Sequence, residues 1–337
     1  MALTTTYVKD IKIGTTALPG KEASLNLDGN QIDITNFITA GTNGVKNYLV
    51  GLLDVNITTS GNLSSIQGYK ALLKKSGTPT TFSAEAASLV GTLTYQITDV
   101  TKRAIDPDTA LVIWDGSSPV TPVSIDYLFG TVVLPSASGT ITFHSGKYLP
   151  LTVIGQNSGS FELSLTGTVL DGTTRPAAIS NGGLKVNLIG LIDSSANVDR
   201  MDDLTGDFKD LAQARTPFLL EFGLANGAFT ARGWYTLKGA GSSGSVEGIE
   251  MEKLQFVPYG RATESFSYVY TNAFNAGLAD AIDAFFARTL VTAHYLPDGT
   301  NGHSLDCYVA EFKLSGDMNT EQYSLKLVAA DALEDEP

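Results

Sequence analysis

The segment "NGVKNYLVGLLDVNITTSG" (residues 43–61) has a second version later in the chain, "GGLKVNLIGLIDSSANVDR" (residues 182–200). When Lys46 is placed on Lys185, an offset of 139 residues, five further positions are identical without a gap: Gly44, Leu49, Gly51, Leu52 and Asp54 fall on Gly183, Leu188, Gly190, Leu191 and Asp193. The same offset, after a divergent stretch, also aligns "YKALL" (residues 69–73) with "FKDLA" (residues 208–212). When one residue of the first copy is then skipped, Thr78-Pro79 aligns with Thr216-Pro217. Because the register is recovered so far along, the sequence indicates an internal duplication.

Each copy predicts the same order of elements. An apolar strand that contains a glycine leads into an extended segment and then into a short amphipathic helix that ends at the Thr-Pro. Proline cannot continue a helix and favours extended geometry in the residue before it, so a new strand is expected there. Residues 89–98 and 229–239 alternate as half-buried strands, and the Gly/Ser run at residues 239–248 is expected to be a flexible hairpin loop.

A third, shorter echo lies near the C-terminus. "ARTLVTAHYLPDG" (residues 287–299) resembles "ARTPFLLEFGLANG" (residues 214–227), and it follows a predicted amphipathic helix and precedes two predicted strands. The expected apolar faces are Leu278, Ile282 and Phe286 on the helix, Ala310, Phe312 and Leu314 on the first strand, and Tyr323, Leu325 and Leu327 on the second. The acidic end "DALEDEP" is expected to be a frayed tail.

Residues 98–150 have no counterpart of the same length in the second copy. They predict a small inserted β-meander with Trp114, Tyr127 and Phe129 as its core. The expected fold class is therefore mainly β, with two tandem sandwich- or barrel-forming domains that each carry a flanking short helix. The expected boundaries are residues 1–97 for the first domain, 98–150 for the insertion, and 151–337 for the second domain with its extra helix and strands.

Composition limits the function classes. The hydrophobic content of 43% and the charged content of 17% are typical of a folded globular chain. With 22 basic and 35 acidic residues, the net charge is −13, which disfavours nucleic-acid binding through Lys and Arg contacts to phosphate. The sequence shows no signal-peptide core and no apolar run of membrane-spanning length, so we expect a soluble protein assembled in the cytoplasm.

No group of residues points to catalysis, and we predict no catalytic residue, no cofactor site, no metal site and no enzymatic activity. The Gly/Ser run lacks the spacing of a nucleophile elbow or a dinucleotide loop. The acidic groups at residues 106–108 and 199–203 lack the ligand ladder of a calcium loop and are expected to be solvated turns. Cys307 is expected to be a buried apolar side chain. The three histidines, none at metal-ligand spacing, are His144, His294 and His303.

Two parts of the chain resemble the tail tube (major tail) proteins of long-tailed bacteriophages. The first is "LDGNQIDITNFITAG" followed by "YLVGLLDVNITTSGN", and the second is residues 210–256, from "DLAQARTPFLLEF" through "ARGWYTLKG" to "VEGIEMEKLQF". The positions that match the family's loose opening pattern are Asp33, Thr35, Gly51, Leu52 and Asp54. The insertion and the extra C-terminal unit depart from the usual single-domain form.

The resemblance implies a small β-sandwich with a flanking helix, whose sheets join side by side into rings with a continuous inner barrel. Stacked rings would form the tube through which genomic DNA passes without specific binding, and a chain with two copies would fill six ring positions with three chains. The implied partners are further copies of the chain and other tail proteins, namely the tape measure, terminator and hub proteins, without a membrane. The implied location is the virion tail.

Two other functions remain open at this point. A tail hub or distal ring protein also carries two tube-like domains, and it would form single rings instead of filaments. A glycan-binding β-sandwich adhesin would need an export signal and exposed aromatic platforms, whereas the chain contains only two tryptophans.

Overall fold

The computed structural model describes most of the chain. The described residues are 10–20, 22–33, 48–65, 73–137, 139–154, 160–173, 185–201, 207–224, 226–243, 251–261, 265–297, 299–317, 320–330 and 334–336. Lys46, Thr35 and the "YKAL" part of the first copy lie outside these ranges. The mainly-β fold predicted from the sequence is confirmed.

Twenty-three strands and two α-helices are present in the described residues, together with a short 3-10 helix at Val100–Lys102. The strands are β1 (Asp10–Ile13), β2 (Thr16–Ala17), β3 (Glu22–Asp33), β4 (Tyr48–Ser65), β5 (Leu73–Ser76), β6 (Thr80–Gly91), β7 (Thr94–Ile97), β8 (Val112–Asp115), β9 (Ser118–Val120), β10 (Ser124–Asp126), β11 (Thr131–Val133), β12 (Ile141–Tyr148), β13 (Leu151–Val153), β14 (Ser160–Asp171), β15 (Asn187–Met201), β16 (Phe218–Gly223), β17 (Phe229–Ser243), β18 (Met251–Pro258), β19 (Phe266–Tyr270), β20 (Val291–Leu296), β21 (Gly302–Asp317), β22 (Thr320–Ala329) and β23 (Glu334–Glu336). The helices are α1 (Asp207–Ala214) and α2 (Ala276–Ala287).

The chain divides into two compact units that alternate along the sequence. Unit 1 contains Met1–Ile66, Glu162–Ser194 and Asn272–Pro337, and unit 2 contains Gln67–Phe161 and Ser195–Thr271. The sequential boundaries predicted above, at residues 97 and 150, therefore do not coincide with the boundaries of the compact units.

A seven-stranded sheet in unit 2 contains the predicted insertion. Its strand order is β10-β11-β7-β6-β12-β8-β9, so it begins at Thr80, well before residue 98. Residues 89–98 are not one strand, because β6 ends at Gly91 and β7 returns antiparallel to it. The buried core of this sheet is formed by Phe82, Ile97, Ile105, Ile113, Val132, Leu134, Ile141 and Phe143.

The aromatic core predicted for the insertion is wrong in two of its three residues. Trp114 is half-buried and stacks on His144, with ring centroids 3.6 Å apart. Phe129 is buried in a separate cluster with Leu219 and Trp234. Tyr127 does pack against the core of the seven-stranded sheet. Six of the eight buried side chains in this core are aliphatic.

Unit 2 also contains a ladder of four antiparallel strands, β16-β17-β18-β15. Tyr235 of β17 lies opposite Phe218 of β16 on one edge and opposite Pro258 of β18 on the other. Further along, Phe256 of β18 lies between Leu237 of β17 and Ala196 of β15, and a bulge in β17 follows Leu237.

Unit 1 contains the same ladder in the order β20-β21-β22-β4. Cys307 of β21 lies opposite Val291 of β20 and Ala329 of β22. Leu327 of β22 lies between Val309 of β21 and Ile57 of β4, and here too a bulge follows Val309. Ile57 and Ala196 occupy the same place in the two ladders and are 139 residues apart. The strand pairing therefore confirms the offset found in the sequence.

The two ladders extend to a preceding strand and a helix. Strand β3 pairs with β4, and β14, of equal length, pairs with β15. Just beyond the ends of β14 and β15, the amide of Gly172 donates to the Val186 carbonyl at 2.9 Å. Helix α1 precedes β16, and α2 precedes β20. We define repeat A as β3, β4, α2, β20, β21 and β22, and repeat B as β14, β15, α1, β16, β17 and β18. The repeats are thus not simple tandem copies, since the strands of repeat A come from both ends of the chain.

Both helices end in the same way. Each is followed by an arginine in left-handed geometry, Arg215 with φ of 51° and Arg288 with φ of 55°. The amide of Arg288 donates to the carbonyls of Ala284 and Phe285, which satisfies carbonyl groups at the end of the helix. Helix α2 buries Leu278, Ile282 and Phe285, so the predicted apolar stripe is confirmed except that Phe286 is half-buried.

We expect Arg288→Gly to raise the free energy of unfolding by about 1 kcal/mol, because glycine adopts left-handed geometry without steric conflict. Arg288→Val should lower it, since a β-branched side chain tolerates positive φ poorly. Thermal melting of the two variants beside the parent protein measures both effects. Equal melting temperatures for all three would show that the cap geometry carries no strain.

Three local expectations are wrong. Leu73–Ser76, expected to end the helix of the first copy, form β5, which pairs with β16 and β13. The first part of the Gly/Ser run continues β17 to Ser243, while residues 244–250 lie outside the described part of the chain. Glu334–Glu336 of the expected frayed tail form β23, paired with the start of β21. The buried faces predicted for the two C-terminal strands are confirmed.

Candidate functional site: the strand edges of the two repeats

The three histidines lie in strands. His144 in β12 stacks on Trp114. His294 in β20 and His303 in β21 lie one residue out of register with each other, on neighbouring strands. No group of three or more His, Cys, Asp or Glu side chains in the described ranges is placed to hold a metal ion.

The expectation of solvated acidic turns is wrong, because Asp106 is buried and Asp199 lies in β15. Asp106 is buried and accepts hydrogen bonds from the Asp108 amide at 3.2 Å and from the Thr109 hydroxyl at 2.7 Å. Asp108 forms an ion pair with Arg261. Of the second acidic group, Asp199 accepts a hydrogen bond from Ser160 at 3.3 Å, and residues 202 and 203 lie outside the described residues. These carboxylates stabilise local structure.

Cys307 is fully buried in β21, as expected from the sequence. Burial, and secondarily the charge of Asp306, raises the pKa of its thiol. The thiolate that nucleophilic chemistry requires is therefore disfavoured at this position.

A cluster of charged side chains lies inside unit 2 and was missed in the sequence. Glu221 of β16 accepts a hydrogen bond from Lys74 of β5 at 2.5 Å and one from Nε of Arg232 on β17 at 2.7 Å. Arg232 also donates to the Leu128 carbonyl at 2.5 Å, and its guanidinium lies 4.7 Å from the ring centre of Phe129. The strand pairs Glu221–Lys74 and Glu221–Arg232 bring the three charges together.

The charges of this cluster are satisfied within the protein. Burial favours a higher pKa for Glu221, but Arg232 and Lys74 outweigh it, and the pKa lies below its usual value. A cavity of about 430 Å³ opens beside the cluster and is lined in part by Arg103, whose Nε donates to the Ile97 carbonyl at 2.9 Å. Carboxylate, guanidinium and ammonium groups bound to one another and to carbonyls tie strands together, and none of these groups is an activated nucleophile.

The strand edges of the repeats differ in whether they are covered. Within unit 1, β14 is hydrogen-bonded to β21 in addition to β15. Strand β22 covers one edge of β21 from Cys307 to Gly316, and β23 covers Gly302–Ser304 on that same edge. Strand β20 lies on the opposite edge, at His303 to Cys307. Strand β14 must therefore continue along the edge that β20 begins.

Among the described residues, the corresponding edge in unit 2 is covered over only part of its length. Strand β16 covers β17 from Thr230 to Tyr235, while β18 and β19 lie on the opposite edge. Beyond Tyr235, no strand in the described part of unit 2 follows β16 along its edge. Strand β3 also has a partner on one edge only, because β4 covers that edge and no described strand covers the other.

The two faces of the ladders are also different. One face is apolar and covered: Val55 and Ile57 of β4 are fully buried, and Phe208 of α1 packs edge-on against Phe256 of β18, with centroids 6.1 Å apart. The other face is polar. Its side chains include the cross-strand neighbours Thr58 and Lys326 in repeat A and Asn197 and Gln255 in repeat B.

Models of known protein families give no match to this chain, and neither do curated protein sequences. No helix in the described residues is long and apolar enough to cross a lipid bilayer.

Proposed function

We propose that this protein is a structural protein of a bacteriophage tail, whose copies associate into rings that stack to form the tube for genomic DNA. The observation that best supports this function is the presence of one ladder twice in a single chain, with the first strand of repeat B bonded to β21 of repeat A within unit 1. Repeats that join by strand pairing can continue the same contact from chain to chain, and a ring closes when no edge is left.

The number of chains in the ring follows from the duplication. A chain that carries two equivalent repeats fills two equivalent positions, so a sixfold ring of repeats needs three chains. In symmetric assemblies a head-to-tail contact gives a closed ring when its rotation closes. We therefore propose a pseudo-hexameric ring of three chains.

The polar face of the ladders is the face that would line the bore, because the helix of repeat B covers the other. Hydroxyl and amide groups such as those of Thr58 and Asn197 carry no charge to hold a phosphate. Two exposed lysines, Lys253 and Lys326, lie on the same face among these neutral groups. The net charge of −13 adds a general repulsion of DNA. Passage without specific binding is the behaviour that a conduit requires.

The partners and location follow from the same proposal. Further copies of the chain would form and stack the rings, and the tape measure, terminator and hub proteins would contact the tube. The assembled protein would be part of the virion tail, built in the host cytoplasm, without enzymatic activity, a cofactor or a membrane.

Negative-stain electron microscopy and native mass spectrometry of the purified full chain test this function. We expect tubes or stacked rings, and a ring mass of three chains. Single rings that never stack would favour a hub or distal ring protein, and a ring of six chains would contradict the pseudo-hexamer. A monomer at all concentrations would overturn the proposal.

A further inference from the structure

The open edge of β3 and the open edge of β17 are complementary. In the structure, β14, the first strand of repeat B, is hydrogen-bonded to β21 of repeat A. Strand β3 is the equivalent of β14, and β17 is the equivalent of β21, yet neither has the corresponding neighbour in the described residues. Within the described ranges, one chain thus offers one edge of each kind that lacks this neighbour.

We propose that β3 of one copy pairs with the edge of β17 beyond Tyr235 in the next copy, reproducing between chains the contact of β14 with β21. This inference rests on the proposed function and names the strands that form the ring contact. The partner is a second copy of this chain, because the contact repeats one already present in unit 1. The recognition is strand addition, in which main-chain hydrogen bonds provide much of the affinity.

The sequence of β3 fits an edge that is covered in the assembly. Soluble proteins protect exposed edge strands with lysine, proline or short length. Strand β3 has twelve residues, "EASLNLDGNQID", with no lysine and no proline. Its bulge, between Gly29 and Gln31, interrupts the pairing with β4, and the run from Glu22 to Gly29 is regular. The regular run of β3, which contains neither lysine nor proline, is therefore long enough to add to a neighbouring strand.

Matched faces make the contact testable by disulfide formation. Ser24 and Asn26 lie on the polar face, because their side chains hydrogen-bond to Thr58 and Asn56 of β4. On β17, Gly241 pairs with Lys253 of β18, which is exposed, and a Cβ at Gly241 would meet no atom within 4 Å. The native Cys307 is buried and does not compete.

The experiment combines Ser24→Cys, Asn26→Cys or Asp28→Cys with either Gly239→Cys or Gly241→Cys in one chain. Alternate residues of a strand are about 7 Å apart, so the three positions on β3 sample the register finely enough for a disulfide. After mild oxidation at concentrations used for assembly, at least one combination should give covalent dimers and larger oligomers on a non-reducing gel. We expect about tenfold more covalent oligomer than in the control, given the strict geometry of the bond.

The control is Asn26→Cys with Lys326→Cys. Lys326 is exposed on the same polar face, but β22 is covered on both edges by β21 and β4. Equal melting temperatures under reducing conditions would show that each variant folds as the parent does.

The outcomes separate the two proposals. Rings or tubes without interchain disulfides in any combination would overturn the β3–β17 contact and leave the tail function standing. Interchain disulfides without rings or tubes would support the contact and count against the tube. A chain that neither cross-links nor assembles would overturn both.

Discussion

Glu221→Gln is expected to lower the free energy of unfolding by about 3 to 5 kcal/mol, the cost of leaving buried charge without its partner. Glu221 and Arg232 are each 6% exposed, so each charge is poorly solvated when the other is removed. The variant keeps the shape of the side chain and removes only the negative charge that faces Arg232 and Lys74. Chemical denaturation at neutral pH measures the loss.

A second ion pair provides the control. Lys102 and Glu85 lie in the same unit with the same 2.5 Å separation, but their side chains are 27% and 18% exposed. Because water and salt screen such a pair, Glu85→Gln should cost less than about 1 kcal/mol. Equal losses in the two variants would show that burial does not set the strength of the Glu221 cluster. Adding Arg232→Met to Glu221→Gln should recover part of the loss, since the unpaired charge is then gone.

The effect of Glu221 should depend on pH in a defined direction. Its pKa is lowered in the folded protein, so its stabilising contribution is present above the unfolded value of about 4.3. The contribution is lost as the pH falls through the lower folded pKa. The gap in stability between the parent protein and Glu221→Gln should therefore be constant near neutral pH and shrink on acidification below about pH 4. A gap that widens in acid would contradict the lowered pKa.

The duplication could be found in the sequence because equivalent positions of the two ladders keep similar side chains. Gly51 and Gly190, or Leu52 and Leu191, preserve a match that needs no knowledge of the partner strands. What the sequence did not show is that the remaining strands of repeat A lie at the far end of the chain. The similarity of residues 287–299 to residues 214–227 was the available signal, since these segments contain the equivalent strands β20 and β16.

The elements that were misassigned depend on partners distant in the sequence. Leu73–Ser76 have the composition of a helix end, but β16 and β13 offer hydrogen bonds on both edges and make the segment a strand. Glu334–Glu336 would repel one another in an isolated tail, yet the start of β21 supplies a backbone partner. Local propensity cannot report on such pairing.

The candidate site was equally hidden. Glu221, Lys74 and Arg232 are scattered charges in the sequence, and only the registers of β5, β16 and β17 make them neighbours. Free strand edges are likewise a property of topology. No residue type marks β3 as an edge, and its openness becomes visible only when its equivalent, β14, is seen to have two partners.

The second large effect on stability is expected at Gly61, a position where repeat A cannot accept the residue of repeat B. Gly61 of β4 lies opposite Tyr323, and the equivalent residue of β15 is Arg200, opposite Glu252. A Cβ at Gly61 would stand 1.6 Å from the carbonyl oxygen of Pro19, so the backbone at Pro19 leaves room for glycine alone.

Gly61→Ala should therefore cost about 3 kcal/mol, as one strand or the other must move to accept a methyl group. Gly61→Arg, which restores the residue of repeat B, should cost more, because its larger side chain begins at the same obstructed Cβ. Gly260→Ala is the control, since its Cβ would meet nothing within 4 Å and its effect should stay within about 0.5 kcal/mol. Denaturant titration measures the free energy of unfolding of the three variants. A Gly61→Ala protein as stable as the control would mean that Pro19 does not lie against β4, and that repeats A and B are free to carry the same residue there.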